Sequence, residues 1–149
     1  RPIAGGEKVE IIDEVRVPIN EYEENLEAIE SRFERHEVPV IFITAPTSYY
    51  RLGVPDYLVK NQYAKSKQAV IELHSNYNDV VRGVAADENT YLLDLEKRIG
   101  SLNNLEDIFL NDGIHFTLVG TEVVGNIIGE YIYKNVLPDS LKQPEISTE

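Results

Sequence analysis

The chain contains no cysteine, which excludes a disulfide framework, a thiol nucleophile and cysteine-bound zinc, and leaves the redox compartment open. Positive charge is scarce as well: 14 Lys and Arg stand against 26 Asp and Glu, a net charge of -12. That balance repels phosphate backbones and anionic lipid surfaces, so nucleic acid is not expected as a partner, and it favours solubility. No apolar run approaches the roughly 20 residues of a membrane span, so stable membrane insertion is not expected either. The Arg1-Pro2 start has neither an initiator methionine nor the apolar stretch of a signal peptide, from which we expect a processed or cut chain. An acidic, cysteine-free domain fits a bacterial cytoplasm and export equally, which leaves the compartment unassigned. Histidine is limited to His36, His74 and His115, the three candidates for an imidazole base. Among the serines, Ser31, Ser48, Ser66, Ser75, Ser101, Ser140 and Ser147, none stands in a Gly-Asp-Ser-Leu or Gly-x-Ser-x-Gly setting.

What is present suits one domain over residues 1–149, since a 42% hydrophobic fraction is enough to build a core. Asn20-x-x-Glu23 has the form of a capping box, and Tyr22, Leu26, Ile29 and Phe33 follow on one helical face, predicting a helix over 21–35. The acidic residues between them form its wet face. Val38 to Ala45 is a β-branched run ended by Pro46, the pattern of a central parallel strand covered on both faces. Val70, Leu73, Tyr77, Val80 and Val84 predict a helix over 56–84, broken near Ser75-Asn76. Tyr91 to Leu95 predicts a second short strand. Val9 to Val17 is at best an edge strand, and the residues after Pro138 (138–149) are expected to be a flexible tail. Thr117 is placed to cap a last helix carrying Val124, Ile127, Ile128, Tyr131 and Ile132 on its face. The order helix, strand, helix, strand, loop, helix implies two parallel strands joined by a crossover, half of a doubly wound α/β sheet that is incomplete on its N-terminal side.

The stretch Phe109-Leu110-Asn111-Asp112-Gly113-Ile114-His115-Phe116-Thr117 carries the chemistry, with an acid and a histidine three residues apart across a glycine turn. A serine hydroxyl is a poor nucleophile near neutral pH and needs an imidazole to take its proton and return it to the leaving group. His115 fits that base, and Asp112 fits the carboxylate that fixes its tautomer. Read alone, Asp112-Gly113 is more readily a plain turn ahead of the Thr117 cap than a catalytic block. Asp94, at a strand end, reads as a helix-capping or loop-bonding carboxylate rather than a metal ligand. His74 reads as a partly buried structural histidine and His36 as solvated. Ser48 leaves the first strand toward the same cleft, but Thr47 and Tyr49 flank it where a catalytic serine turn needs glycines. Tyr49, Tyr50 and Tyr57 suit sugar or acyl contacts and suit packing equally. Arg51 reads as either a partner for an anionic substrate group or a surface charge.

Tyr22-x-x-Asn25-Leu26, Val40 to Pro46, His74-x-x-Tyr77, Val81-Arg82-x-Val84-Ala85, Leu93-Asp94-Leu95 and Asn111 to Thr117, in that order, resemble the C-terminal part of SGNH (GDSL-type) hydrolases over about residues 15 to 135. The resemblance implies a three-layer α/β/α, flavodoxin-like fold with a parallel sheet. It also implies a serine ester hydrolase whose Asp-x-x-His block is Asp112 and His115; neither cofactor nor metal is expected. The family's serine nucleophile, oxyanion glycine and Gly-x-Asn-Asp blocks have no counterpart here. The expected partners are therefore a small ester or an acylated carbohydrate or lipid as substrate, together with a missing N-terminal segment or another copy of the chain. A non-catalytic module of the same fold and an acyltransferase using the same pair are the alternatives.

Overall fold

The computed structural model describes residues 15–86 and 90–142. In chain order these form α1 (Ile19–Glu34), β1 (Val40–Ile43), α2 (Tyr49–Leu52), α3 (Asp56–Lys60), α4 (Lys67–Val84), β2 (Thr90–Leu93), α5 (Leu95–Gly100), α6 (Leu105–Ile108) and α7 (Leu118–Asn135), followed by a 3-10 turn at Asp139–Leu141. β1 and β2 pair in parallel with Val40 opposite Thr90 and Ile43 opposite Leu93, as the strand, helix, strand order requires.

Because side chains alternate across a strand, the two strands feed two separate cores. Ile41 and Leu93 point to one side, where Leu95, Ile99, Leu105, Ile108, Phe109 and Val124 gather with Ile127, Ile128 and Tyr131 of α7. Val40, Phe42 and Leu92 point to the other, where Val81, Val84 and Ala85 of α4 meet Tyr22 and Leu26 of α1. The predicted face of α7 thus packs on this core through Val124, Ile127, Ile128 and Tyr131, of which Val124 is buried. The face of α1 is only half used, since Ile29 and Phe33 remain 44% exposed.

Several expectations need correction. No capping box opens α1: its N-cap is Pro18, with no side-chain cap bond, and Asn20 already lies inside the helix. The predicted 56–84 helix is two helices, separated at 61–66, where Gln62 adopts φ +60°. Ser66 then accepts from the Ala69 amide at 3.1 Å to start α4, and Ser75-Asn76 run through α4 without a break. The second strand ends at Leu93, because Asp94 caps α5 and Leu95 is its first residue. The region read as a plain loop ahead of the last helix holds α5 and α6. Residues 9–14 of the proposed edge strand lie outside the described residues, and 15–17 are irregular. Of the expected tail, 139–141 form the 3-10 turn and 143–149 lie outside the described residues.

Candidate active site

The turn that carries Asp112 and His115 is closed by its own backbone. Phe109 and Phe116 form an antiparallel bridge, with their rings 5.3 Å apart. The Leu110 amide donates to the His115 carbonyl at 2.8 Å, and the Gly113 amide donates to Leu110 at 2.9 Å. Thr117 locks the exit: its amide donates to Ile108 at 2.9 Å, its hydroxyl donates to the Asp107 carbonyl, and that hydroxyl accepts from the Gly120 amide at 3.0 Å to cap α7.

Inside this frame Asp112 does two things. Oδ1 accepts from the amides of Ile114 and His115 at 3.1 and 3.0 Å, and Oδ2 lies 2.6 Å from His115 Nδ1. Bonds from the His115 amide, the His115 ring and the Ile114 amide pull the carboxyl down to about 2, so it is an acceptor only. Nδ1 must therefore carry a proton, and in the neutral imidazole Nε2 is the nitrogen that keeps its lone pair, on a side chain that is 72% exposed. That is the tautomer and orientation a general base needs.

The turn sits past the C-terminal end of β1, where open α/β sheets place ligands. It is held there by the segment that leaves β1. The Ser48 amide donates to the Gly113 carbonyl at 3.0 Å, and Ser48 is only 2% exposed. Its hydroxyl packs under the turn: a β-carbon on Gly113, which has φ +76°, would stand 2.8 Å from Ser48 Oγ and 2.8 Å from Tyr49 Cε1. Ser48 thus supports the Asp112–His115 turn from beneath.

A buried polar group steers the chain after β1. Asn78 of α4, 2% exposed, accepts from the Ala45 amide at 2.8 Å and donates to the Ala45 carbonyl at 2.9 Å, pairing with that residue as a neighbouring strand would. Thr44, fully buried, donates to Asp94 Oδ1 at 2.9 Å and accepts from the Glu96 amide at 2.9 Å. Asp94 also caps α5 through the Lys97 amide. Arg82 holds it by two bonds of 3.0 and 2.9 Å and reaches Glu96 at 2.6 Å. These bonds, the Arg82 pair first, hold the Asp94 carboxyl at about 2. Sequence reasoning missed Asn78, Thr44 and Arg82 as organisers; the adjacency of Thr44 to the strand end was the only available signal.

The remaining candidates fall into place. Arg51 donates to the carbonyls of Leu102 and Asn103, tying α2 to the end of α5. His74 stacks edge-on against Tyr49 at 6.4 Å, with both ring nitrogens buried and no hydrogen-bond partner; Nδ1 lies 3.5 Å from Glu96, and burial pushes its pKa down. His36 is exposed. Tyr49 is buried, while Tyr50 and Tyr57 are exposed. Among the described residues no cluster of three or more metal-ligating side chains occurs, and no helix is long and apolar enough to cross a membrane.

The fold, a parallel strand pair with helices on either side, is similar to that of a solved lipase/acylhydrolase from Enterococcus faecalis. The two match with a TM-score of 0.55 at 20% sequence identity, over 79% of this chain and 53% of that one. The chain therefore spans about half the length of the structure it matches. No family model matches the chain, and no curated protein matches it significantly.

Proposed function

We propose that the chain carries the acid-base half of a serine ester hydrolase of the SGNH type, built on a three-layer, flavodoxin-like sheet that another segment completes. The observation that carries this reading is the 2.6 Å pairing of Asp112 Oδ2 with His115 Nδ1 on a turn that leaves Nε2 free. His115 takes the proton from the serine hydroxyl as the ester is attacked and returns it to the leaving alcohol. Asp112 stabilises the imidazolium in between. The likeness of fold to a lipase/acylhydrolase supports the same reaction class.

The nucleophile comes from outside the described residues in this reading. Ser48 is buried beneath Gly113, Ser66 caps α4, and the Ser101 hydroxyl is spent on the Arg98 carbonyl. The amides that would receive oxyanion charge are assigned to the same external segment. The test is labelling of the protein, expressed from its complete natural reading frame, with diisopropyl fluorophosphate. One phosphorylated serine outside residues 15–142 is expected, and labelling of Ser48 would contradict the reading.

A further inference from the structure

Beside the catalytic turn lies a cavity of about 830 Å³. Its walls come from residues 15–17, the N-terminal turn of α1, the 58–65 segment and the first half of α4, and it reaches the site through Tyr49 and Ile114. Ile114 stands between Asp112 and His115 in the chain, and Tyr49 lies against Gly113, so the cavity borders the turn that holds the base.

We propose that this cavity takes the aliphatic acyl chain of the ester, with its carbonyl held at His115. The proposal rests on the hydrolase reading and narrows it to esters of medium or long acyl chains. The lining is hydrocarbon and ring face: Leu58, Val70, Leu73, Tyr22 and Tyr77 contribute to it. The hydroxyl of Tyr77 is engaged by the Val17 carbonyl, and its ring lies 5.0 Å from that of Tyr22. Leu73 is 43% exposed on a helix whose later residues, Val81 and Val84, are buried on the sheet. The apolar stripe of α4 thus continues past the core to line the cavity. The volume falls within the roughly 300–1,000 Å³ of small-molecule sites and far exceeds what an acetyl group fills. Arg16 and Lys65 are the charged residues on the lining, and a neutral probe keeps their charge out of the measurement.

The experiment titrates the 149-residue chain calorimetrically with 1-butanol, 1-hexanol, 1-octanol and 1-decanol, and repeats the series on Leu73→Trp, which places a bulkier side chain on the cavity wall. Burial of each methylene predicts affinity rising about two- to four-fold per carbon, with the rise cut short in Leu73→Trp. Affinity independent of chain length overturns the proposal. So does an unchanged series in a Leu73→Trp protein that melts as the wild type does. Turnover of p-nitrophenyl acetate and decanoate by the complete natural protein separates the two layers. Acetate turnover without gain toward decanoate overturns the acyl-chain assignment and leaves the hydrolase reading standing. No turnover of either ester, with the alkanol series intact, overturns the hydrolase reading and leaves an aliphatic-chain site.

Discussion

The Ser48 amide and the Gly113 carbonyl meet at 3.0 Å, which makes the segment leaving β1 the shelf on which the Asp112–His115 turn rests. The contact admits no side chain at Gly113, for conformational and steric reasons together: φ is +76°, and a β-carbon would press on Ser48 Oγ and the Tyr49 ring. Gly113→Ala is expected to cost about 1–3 kcal/mol in stability and to reduce turnover by moving His115. Thermal melting and kcat measured side by side check this; a wild-type melting point and wild-type kcat would refute the shelf.

In the proposed reading Ser48 is support for the turn and not the nucleophile. Ser48→Ala is expected to keep most of the turnover of the complete natural protein, whereas Asp112→Ala loses most of it, though less completely than removal of the histidine. Steady-state kinetics on a p-nitrophenyl ester read both.

In α7, two glycines make opposite predictions. A β-carbon at Gly120 would collide with the carbonyl of Ile108, whereas one at Gly125 meets nothing within 4 Å. Gly120→Ala should therefore destabilise by about 1–3 kcal/mol or more through overpacking. Gly125→Ala should stabilise by about 0.5–1 kcal/mol, since alanine is the better helix former. Urea titrations of the two variants give the signs directly.

The Arg82–Asp94 pair gives a pH prediction. The Asp94 carboxyl is held at about 2, below its ordinary value of 3.8, by Arg82 first and by Thr44 and the Lys97 amide besides. A carboxyl depressed in the folded state stabilises fully above its unfolded pKa, and this stabilisation is lost as pH falls toward the folded value. The Asp94 contribution should therefore be complete above about pH 5 and fade between there and about pH 2. Arg82→Ala should lose on the order of 1.5–3 kcal/mol near neutrality and show a shallower acid loss than the wild type. Stability measured across that window checks both; an equal acid slope in the two proteins would contradict the assignment.

Local features were the ones legible in the sequence. Asp112 and His115 are three residues apart, so one glycine turn suffices to join them, and Thr117 caps α7 through a bond only three residues long. The parallel pairing of β1 and β2 followed from their apolar runs on either side of a helix. The short helices α5 and α6 span six and four residues, too few turns to display a period, so they were read as loop. The true division between α3 and α4 was set by Ser66, whose capping bond outweighed the apparent weakness at Ser75-Asn76. Asn78 and Arg82 were invisible because their partners lie 33 and 12 residues away, and polar residues on a helix read as solvent-facing until the fold brings those partners to them.

The most direct test of the acid-base assignment is kcat of the protein expressed from its complete natural reading frame, on p-nitrophenyl acetate, with and without His115→Ala. The account predicts a loss on the order of 10⁴-fold or more, as expected for removal of a triad base. A His115→Ala protein with wild-type kcat would contradict it.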